Sequence, residues 1–249
     1  MSRGAVLVTG GAKRLGAAFV RALAASGWRA VVHYGSSGDE AKALASEVGG
    51  AALQADLSDF DRLPDLIDRA RAVTDAPLRG LVNSASMFEH DTARTVTPES
   101  LSRHHAVNAA APVLLSRAFA DGAPDGAAVV HILDQKLANP NPDHLAYTLS
   151  KAALAESVRL LAQSLAPAVR VMGVAPGYCL PNPTEDEASF EARAASVNLL
   201  RRRLQPSHVA EAVRFALECP ALTGSVITAD NGEHLVAKDR DVVFAPPGG

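Results

Sequence analysis

The chain has 249 residues, of which 48% are hydrophobic and 20% charged, and its formal net charge is −3. These values favour a folded α/β domain with a sizeable core and give no indication of a nucleic-acid or membrane-surface partner. No apolar run approaches the roughly 18 residues that a membrane span needs. The only cysteines, Cys179 and Cys219, form no ligand cluster, so we expect a cytoplasmic protein without disulfides or a metal site.

The first predicted element is a buried strand, 5–9, followed at once by a glycine-rich turn. Gly10 opens the turn, the basic pair Lys13–Arg14 follows, and Gly16 begins a predicted helix. Glycines there let the backbone approach a phosphate, and the helix N-terminus offers free N–H groups and a partial positive charge. This strand–turn–helix context predicts a dinucleotide site rather than a merely structural turn.

The end of the second predicted strand, 29–34, indicates which dinucleotide binds. An NAD site usually carries an acidic residue at this tip, to hold the ribose hydroxyls. Here the first acid is Asp39, and the tip holds His33, Tyr34, Ser36 and Ser37. Hydroxyls together with the Arg14 cation suit a 2′-phosphate, which predicts NADP(H). The alternative is that the basic pair is a pair of solvated loop charges.

The remaining strands are also compact apolar runs that alternate with helical patterns. Such runs are typical of parallel strands buried on both faces and joined by right-handed crossovers. They lie at 51–55, 80–84, 127–133, 169–174 and 225–229. We therefore predict one α/β domain over 1–249, a Rossmann-type fold with a seven-stranded parallel sheet and helices on both faces.

One long segment after the sixth strand fits no strand. It contains three prolines within 176–205, and its length is typical of a functional loop. We predict a substrate loop or lid, with its own helix, at about 178–205.

A helical pattern after the fifth strand carries the candidate chemistry. Tyr147 and Lys151 lie four residues apart and so share one helical face. A free tyrosine has a pKa of about 10, and a neighbouring ammonium is expected to lower it. Tyr147 is thus a candidate proton donor to a carbonyl or imine that receives hydride.

Together these segments resemble the short-chain dehydrogenase/reductase family over nearly the whole chain. The matching pieces, in family order, are TGGAKRLG (9–16), ADLSD (55–59), NSAS (83–86), VNAAAP (107–112), YTLSK (147–151) and VAPG (174–177). The resemblance implies that Asp56 and Leu57 border the adenine and that Asn108 supports a water relay to Lys151. It also implies that Pro176 and Gly177 flank the nicotinamide.

Two departures from the family pattern resemble its pteridine reductase and dihydromonapterin reductase branch. Arg14 replaces the usual glycine, and Asp134, thirteen residues before Tyr147, replaces the usual serine. In that branch an aromatic stacks on the pterin ring, which matches Phe88, and a serine that contacts the pterin matches Ser86. The resemblance implies proton delivery to a ring nitrogen by an Asp–Tyr–Lys set, and an aspartate can carry a proton for the tyrosine.

The predicted site residues fall into three overlapping sets. The catalytic set is Asn108, Asp134, Tyr147 and Lys151; the substrate set is Arg14, Ser86, Phe88, Asp134 and Tyr147. The NADP(H) set is Gly10, Lys13, Arg14, Leu15, His33, Tyr34, Ser36, Ser37, Asp56, Leu57, Asn83, Ser84, Ala85, Ser86, Tyr147, Lys151, Pro176 and Gly177.

Several alternatives stay open at this level. Phe88 is either a stacking residue or a core aromatic, and Asp134 is either a catalytic group or a loop cap. The function is NADPH-dependent reduction of a pterin-like C=N bond or of a ketone, or else non-catalytic NADP sensing. By resemblance we expect a homotetramer or homodimer that packs through 98–120 and 142–166, with a small-molecule substrate.

Overall fold

The computed structural model describes residues 3–181 and 185–244. Seven parallel strands form one sheet in the order β3-β2-β1-β4-β5-β6-β7. They are β1 (Ala5–Thr9), β2 (Arg29–Tyr34), β3 (Ala51–Gln54), β4 (Leu78–Asn83), β5 (Ala127–Ile132), β6 (Val169–Pro176) and β7 (Val226–Ala229). This confirms the predicted seven-stranded parallel α/β fold, and each strand ends within two residues of its predicted bounds.

Helices connect the strands and cover both faces of the sheet. They are α1 (Arg14–Ala25), α2 (Gly38–Val48), α3 (Leu63–Ala72), α4 (Pro98–His105), α5 (Ala111–Ala120), α6 (Leu145–Leu165), α7 (Glu187–Ser196) and α8 (Pro206–Glu218). A π-helical turn, Ala106–Ala110, joins α4 to α5.

Alternation along the strands divides the core between the two faces. Val6 and Val8 of β1 pack on the side of α1, α2 and α8. Ala5 and Leu7 point to the other side, toward α3, α5 and α6. Successive side chains of a strand point to opposite faces, so a strand covered on both faces is apolar throughout. This explains why the strands appear in the sequence as continuous apolar runs.

The strand order reverses between β1 and β4, and this places the site. Chain connections run outward from β1 to β3 on one side and from β4 to β7 on the other. A crevice opens at the carboxyl ends of the two central strands of such a sheet, where ligands bind. The glycine turn after β1 lies at this crevice.

The predicted loop at 178–205 contains α7, so its expected helix is confirmed. Residues 182–184 of this range, and residues 1–2 and 245–249 of the predicted domain, lie outside the described part of the chain. Arg203 anchors the loop, because its guanidinium pairs with Glu187 at 3.2 Å and lies 4.7 Å from the centre of the Phe190 ring.

No helix in the described part of the chain is long and apolar enough to span a bilayer. Assembly into a tetramer or dimer stays a prediction. Two leucines on the outer surface of α6, Leu149 and Leu160, are 52% and 58% exposed in the single chain. They lie in one of the segments expected to pack between subunits.

Gly16 provides a direct test of the packing at the crevice. A Cβ on Gly16 would lie 2.1 Å from the carbonyl oxygen of Gly10, so α1 and the glycine turn would have to separate. We expect Gly16→Ala to lower the free energy of unfolding by about 1–3 kcal/mol or more, as overpacking does. Gly35→Ala is the matched control because a Cβ there meets nothing within 4 Å. Equal denaturation midpoints for the two variants would contradict the packing account.

Candidate active site

The end of β1 is tied to the end of β4 directly above the crevice. The hydroxyl of Thr9 accepts hydrogen bonds from the backbone N–H groups of Ser84 and Ala85, at 3.0 and 3.1 Å. Gly10 has a φ of +62°, and a Cβ on it would lie 2.8 Å from the Cα of Ala85. Position 10 is therefore too close to Ala85 for any residue but glycine, and the predicted binding of a phosphate at this turn stays a prediction.

His33 supports this turn from below. Its Nδ1 accepts a hydrogen bond from the N–H of Gly10 at 3.1 Å, and its Nε2 lies 3.2 Å from the carbonyl oxygen of Ala55. The side chain is buried, and burial lowers its pKa to about 4, so the ring is neutral at pH 7. The ring therefore supports the turn, and the place of His33 in the cofactor site stays a prediction.

The two cations of the turn are held differently. Lys13 forms an exposed ion pair with Glu40 at 2.7 Å. Arg14 donates a hydrogen bond to the carbonyl oxygen of Pro181 at 3.0 Å, and no carboxylate of the described residues lies within 4 Å of it. Its φ of +52° is left-handed, an uncommon conformation for a residue other than glycine. Arg14 is therefore the cation of this turn that is available to an anion.

Most of the predicted site residues line one cleft of about 740 Å³. Its lining includes the glycine turn, the segment after β4, the end of β5, the start of α6 and the end of β6. The predicted residues that line it are Gly10, Lys13, Arg14, Leu15, Ser84, Ala85, Ser86, Phe88, Asp134, Tyr147, Lys151, Pro176 and Gly177.

Eight predicted residues do not line the cleft. They are His33, Tyr34, Ser36, Ser37, Asp56, Leu57, Asn83 and Asn108. Ser36 and Asp56 are exposed beside the crevice, at the ends of β2 and β3, whereas Leu57, Asn83 and Asn108 are buried. The amide nitrogen of Asn83 lies 3.2 Å from the Nδ1 of His131, inside the core. The side chain of Asn83 thus has a structural contact, and its place in the cofactor site stays a prediction.

Asn108 lies in the π-helical turn and, without lining the cleft, hydrogen-bonds two segments that do. Its Oδ1 accepts from the N–H of Met87 at 2.7 Å, and its Nδ2 donates to the Met87 carbonyl at 2.9 Å. The same Nδ2 donates to the hydroxyl of Ser150 in α6 at 3.0 Å. These bonds connect the segment that carries Phe88 to the helix that carries Tyr147, rather than reaching Lys151 directly.

Asp134 and Tyr147 form the central contact of the cleft. The phenol of Tyr147 donates a hydrogen bond to Oδ2 of Asp134 at 2.6 Å. The other carboxylate oxygen, Oδ1, accepts from the N–H of Lys136 at 2.8 Å and so caps the short helix Gln135–Ala138. The catalytic and the capping interpretations of Asp134 are therefore compatible, because each uses a different oxygen.

The electrostatics of this pair differ from the sequence-based expectation. Burial raises the pKa of Tyr147, and the Asp134 carboxylate raises it further. Burial also raises the pKa of Asp134. The expectation that Lys151 lowers the pKa of Tyr147 is wrong for this structure. The Lys151 Nζ lies 5.7 Å from the centre of the tyrosine ring, and burial and Asp134 outweigh it.

Lys151 is itself buried. Its ammonium donates to the carbonyl oxygen of Ile132 at 2.7 Å, and burial lowers its pKa to about 8. A lysine with this pKa is mostly charged at pH 7 and gives up its proton in mildly alkaline solution. Such shifted pKa values in a cleft are typical of functional sites.

Phe88 forms an aromatic wall of the cleft. Its ring is 50% exposed, which excludes the core interpretation. One side stacks on the ring of His144 with centroids 4.1 Å apart, and its edge meets Tyr147 at 4.7 Å. The support from His144 was not predicted, since nothing near it in the sequence indicates a stacking partner.

Four further charged residues of the cleft were also missed. They line it and are mostly buried: Lys136, Glu233, Lys238 and Asp241. The N–H of Tyr178 and the ammonium of Lys238 donate to Glu233 at 2.7 and 2.6 Å. Glu233 and Asp241 follow the last strand, where no motif marks them. The described part of the chain holds no group of three His, Cys, Asp or Glu residues that could bind a metal.

Known proteins are similar to this chain over most of its length. Residues 10–234 match the family model described as enoyl-(acyl carrier protein) reductase. A dihydromonapterin reductase from Enterobacter sp. is 27% identical over 92% of this chain and 96% of its own. An uncharacterized oxidoreductase from Methylorubrum extorquens is 31% identical over 91% of this chain and 96% of its own.

Solved structures are similar over almost the whole chain. FolM alternative dihydrofolate reductase 1 from Brucella suis, in complex with NADP, superimposes with a TM-score of 0.89 and 36% identity. The match covers 95% of this chain and 97% of that one. A blue fluorescent protein from a metagenomic library, in complex with NADPH, has a TM-score of 0.84 and 29% identity, with 93% and 98% covered.

The buried histidines predict a pH dependence of stability. The unfolded chain takes up a proton on His33 near pH 6.5, but the folded chain does so only near pH 4. The free energy of unfolding should therefore fall as pH drops from 6.5 towards 4, by about 1–3 kcal/mol from His33. His33→Asn keeps an acceptor for Gly10 without titrating, so its decline should be shallower in denaturant titrations at pH 7 and 5.

The exposed His105→Asn is the control and should keep the wild-type slope. Equal slopes for His33→Asn and wild type would contradict the assignment of His33 as a buried neutral ring. His131, whose pKa burial lowers to about 3, accounts for part of the slope that remains.

Proposed function

The chain belongs to the short-chain dehydrogenase/reductase family, and on that premise we propose that it is an NADPH-dependent reductase of a pterin-like C=N bond, with Tyr147 as proton donor. The observation that carries the proposal is the 2.6 Å hydrogen bond from the Tyr147 phenol to Asp134, inside a cleft walled by Phe88. This bond supports the proposal because it joins a phenol and a carboxylate that can exchange a proton, beside an aromatic ring.

The residues present fit NADP(H). Gly10 and Gly16 let the turn pack closely against Ala85 and against α1, where a Cβ would clash, and α1 begins at Arg14 directly after the turn. The tip of β2 offers Ser36 and Ser37 with no acid, and Arg14 is free of carboxylate partners within the described residues. These donors suit phosphates. When bound, the cofactor supplies the hydride that the substrate carbon accepts.

Proton delivery is the task of the chain itself. A phenol with a raised pKa stays protonated at pH 7, so Tyr147 holds the proton that the ring nitrogen needs. Asp134, whose own pKa is raised by burial, can take up a proton from water and return it to the phenol. The Lys151 ammonium lies 5.7 Å from the centre of the Tyr147 ring and adds positive charge near the phenol while the phenol gives up its proton. The C=N bond thus gains one hydride and one proton.

Phe88 favours a flat heterocycle over a small carbonyl compound. Its exposed face lies in the cleft while its other side is held by His144. Aromatic rings gain about 0.5–1.5 kcal/mol from stacking beyond the area they bury. Dihydromonapterin and dihydrofolate, which appear in the names of the relatives, both contain a pterin ring. This supports a pterin as the substrate class.

Oxidation of NADPH, followed by absorbance at 340 nm, tests the proposal. We expect turnover with dihydromonapterin and dihydrobiopterin, little with a simple diketone, and slower turnover when NADH replaces NADPH. Turnover with the diketone alone would contradict pterin reduction and indicate a ketone reductase. No turnover with either substrate class would indicate a sensing protein.

Phe88 variants test the stacking wall separately from the chemistry. Phe88→Ala should raise the KM for dihydromonapterin about 3- to 10-fold, which corresponds to the loss of one aromatic contact. Phe88→Tyr keeps the ring and is the matched control, expected near the wild-type KM. An unchanged KM in Phe88→Ala would show that the ring does not contact the substrate.

A further inference from the structure

We propose that Asp241, in the segment that follows β7, is a positioning residue for the Asp134–Tyr147 pair and acts on it through Lys136. This inference rests on the proposed role of that pair in proton transfer. It assigns a function to a residue that lies 105 positions after Lys136 in the chain and in no recognised motif.

The first link is the orientation of the Asp134 carboxylate. Its Oδ1 is fixed by the N–H of Lys136 at 2.8 Å, and this leaves Oδ2 to receive the Tyr147 phenol at 2.6 Å. A rotation of the carboxylate would break both bonds together. The position of the Lys136 backbone therefore determines whether Tyr147 has its partner.

The second link fixes Lys136 itself. Its side chain is buried, and its ammonium donates to the carbonyl oxygen of Asp143 at 2.6 Å and to Oδ2 of Asp241 at 3.3 Å. A buried ammonium without a charged partner is costly, so the Asp241 carboxylate stabilises Lys136 in this position. Asp241 thereby holds in place the short helix Gln135–Ala138, which Asp134 caps.

The third link holds Asp241 in place. Its N–H donates to Oδ2 of Asp143 at 2.8 Å, and the guanidinium of the preceding Arg240 binds the same carboxylate at 2.7 and 2.8 Å. The Asp143 carboxylate is buried, and His90 lies 3.4 Å from it. The segment after β7 is therefore fastened to the loop that precedes α6, and Asp241 has little freedom to move.

Asp241 also adds a negative charge near the pair. The charged and titratable groups facing Asp134 are Tyr147 and Lys151 from α6, Lys136 from its own loop, Asp241 from the last segment, and Glu233 and Cys179 across the cleft. Among these, Asp241 raises the pKa of both Asp134 and Tyr147, and Lys151 opposes it at Asp134. Burial is the main cause of the raised pKa of Asp134, and the charge of Asp241 adds to it.

The test titrates Asp134 directly in the full chain without substrate. Aspartate labelled with ¹³C at the side-chain carboxyl gives one resonance that disappears in Asp134→Asn, and its midpoint reports the pKa of Asp134. We expect Asp241→Asn to move this midpoint to lower pH, since a negative neighbour is lost. Lys136→Met should move the Asp134 midpoint to higher pH, because Asp241 loses the ammonium that pairs with it and keeps its own negative charge.

Two further variants complete the set. Asp241→Glu keeps the charge and should restore the midpoint towards wild type, and the exposed Asp239→Asn should leave it unchanged. If Asp241→Asn fails to fold, the opposite shift in Lys136→Met still tests the arrangement. Unmoved midpoints in both variants would overturn the proposal.

Turnover adds a second readout that separates this inference from the proposed function. With dihydromonapterin and NADPH, Asp241→Asn should lower kcat about tenfold or more while KM changes little, as expected for a misplaced proton-transfer group. The alkaline limb of its kcat–pH profile should also begin at lower pH. Moved midpoints without pterin turnover in the wild type would retain the role of Asp241 and reject the pterin substrate.

Discussion

The hydrogen bond between the Tyr147 phenol and the Asp134 carboxylate is the contact on which the site depends. It joins α6 to the end of β5, two elements that the parallel sheet brings to the same edge. Its short length of 2.6 Å is typical of a bond to a charged acceptor. Phe88, Lys151 and the glycine turn are all placed around this bond, because each follows a strand that ends at this edge.

Charged groups are buried around that bond at a cost in stability. Lys151, Glu233 and Asp134 each lose hydration. Burial therefore lowers the pKa of Lys151 and raises the pKa of Glu233 and of Asp134, which favours the neutral form of each. The apolar core on both faces of the sheet offsets this cost. A fold that is apolar along entire strands can hold a strained, polar cleft at one edge. The backbone of Arg14, at the same edge, adopts an unfavourable left-handed conformation that the rest of the fold also has to offset.

The sequence predicted the fold and the centre of the site for physical reasons that can be named. Buried parallel strands appear in the sequence as apolar runs. A strand followed by glycines and a helix is typical of a dinucleotide-binding turn. Tyr147 and Lys151 could be predicted to share one helical face because helical spacing is local, and both line the cleft. The contacts of the His33 ring with Gly10 and Ala55 could not be predicted, because strand alternation alone does not show which neighbour a ring meets. The sign of the Tyr147 shift was wrong because burial depends on packing from the whole chain. Lys136 and Asp241 were missed because their contact joins distant segments.

A double-mutant cycle on Asp134 and Tyr147 tests the central claim that the two act as one proton-transfer unit. Asp134→Asn keeps the cap but cannot carry a proton, and Tyr147→Phe removes the phenol. If they act as a unit, each change lowers kcat for dihydromonapterin by about 10²–10⁴-fold, and the double variant is no slower than the slower single one. Losses that multiply in the double variant would show that the two residues act independently and would contradict the account.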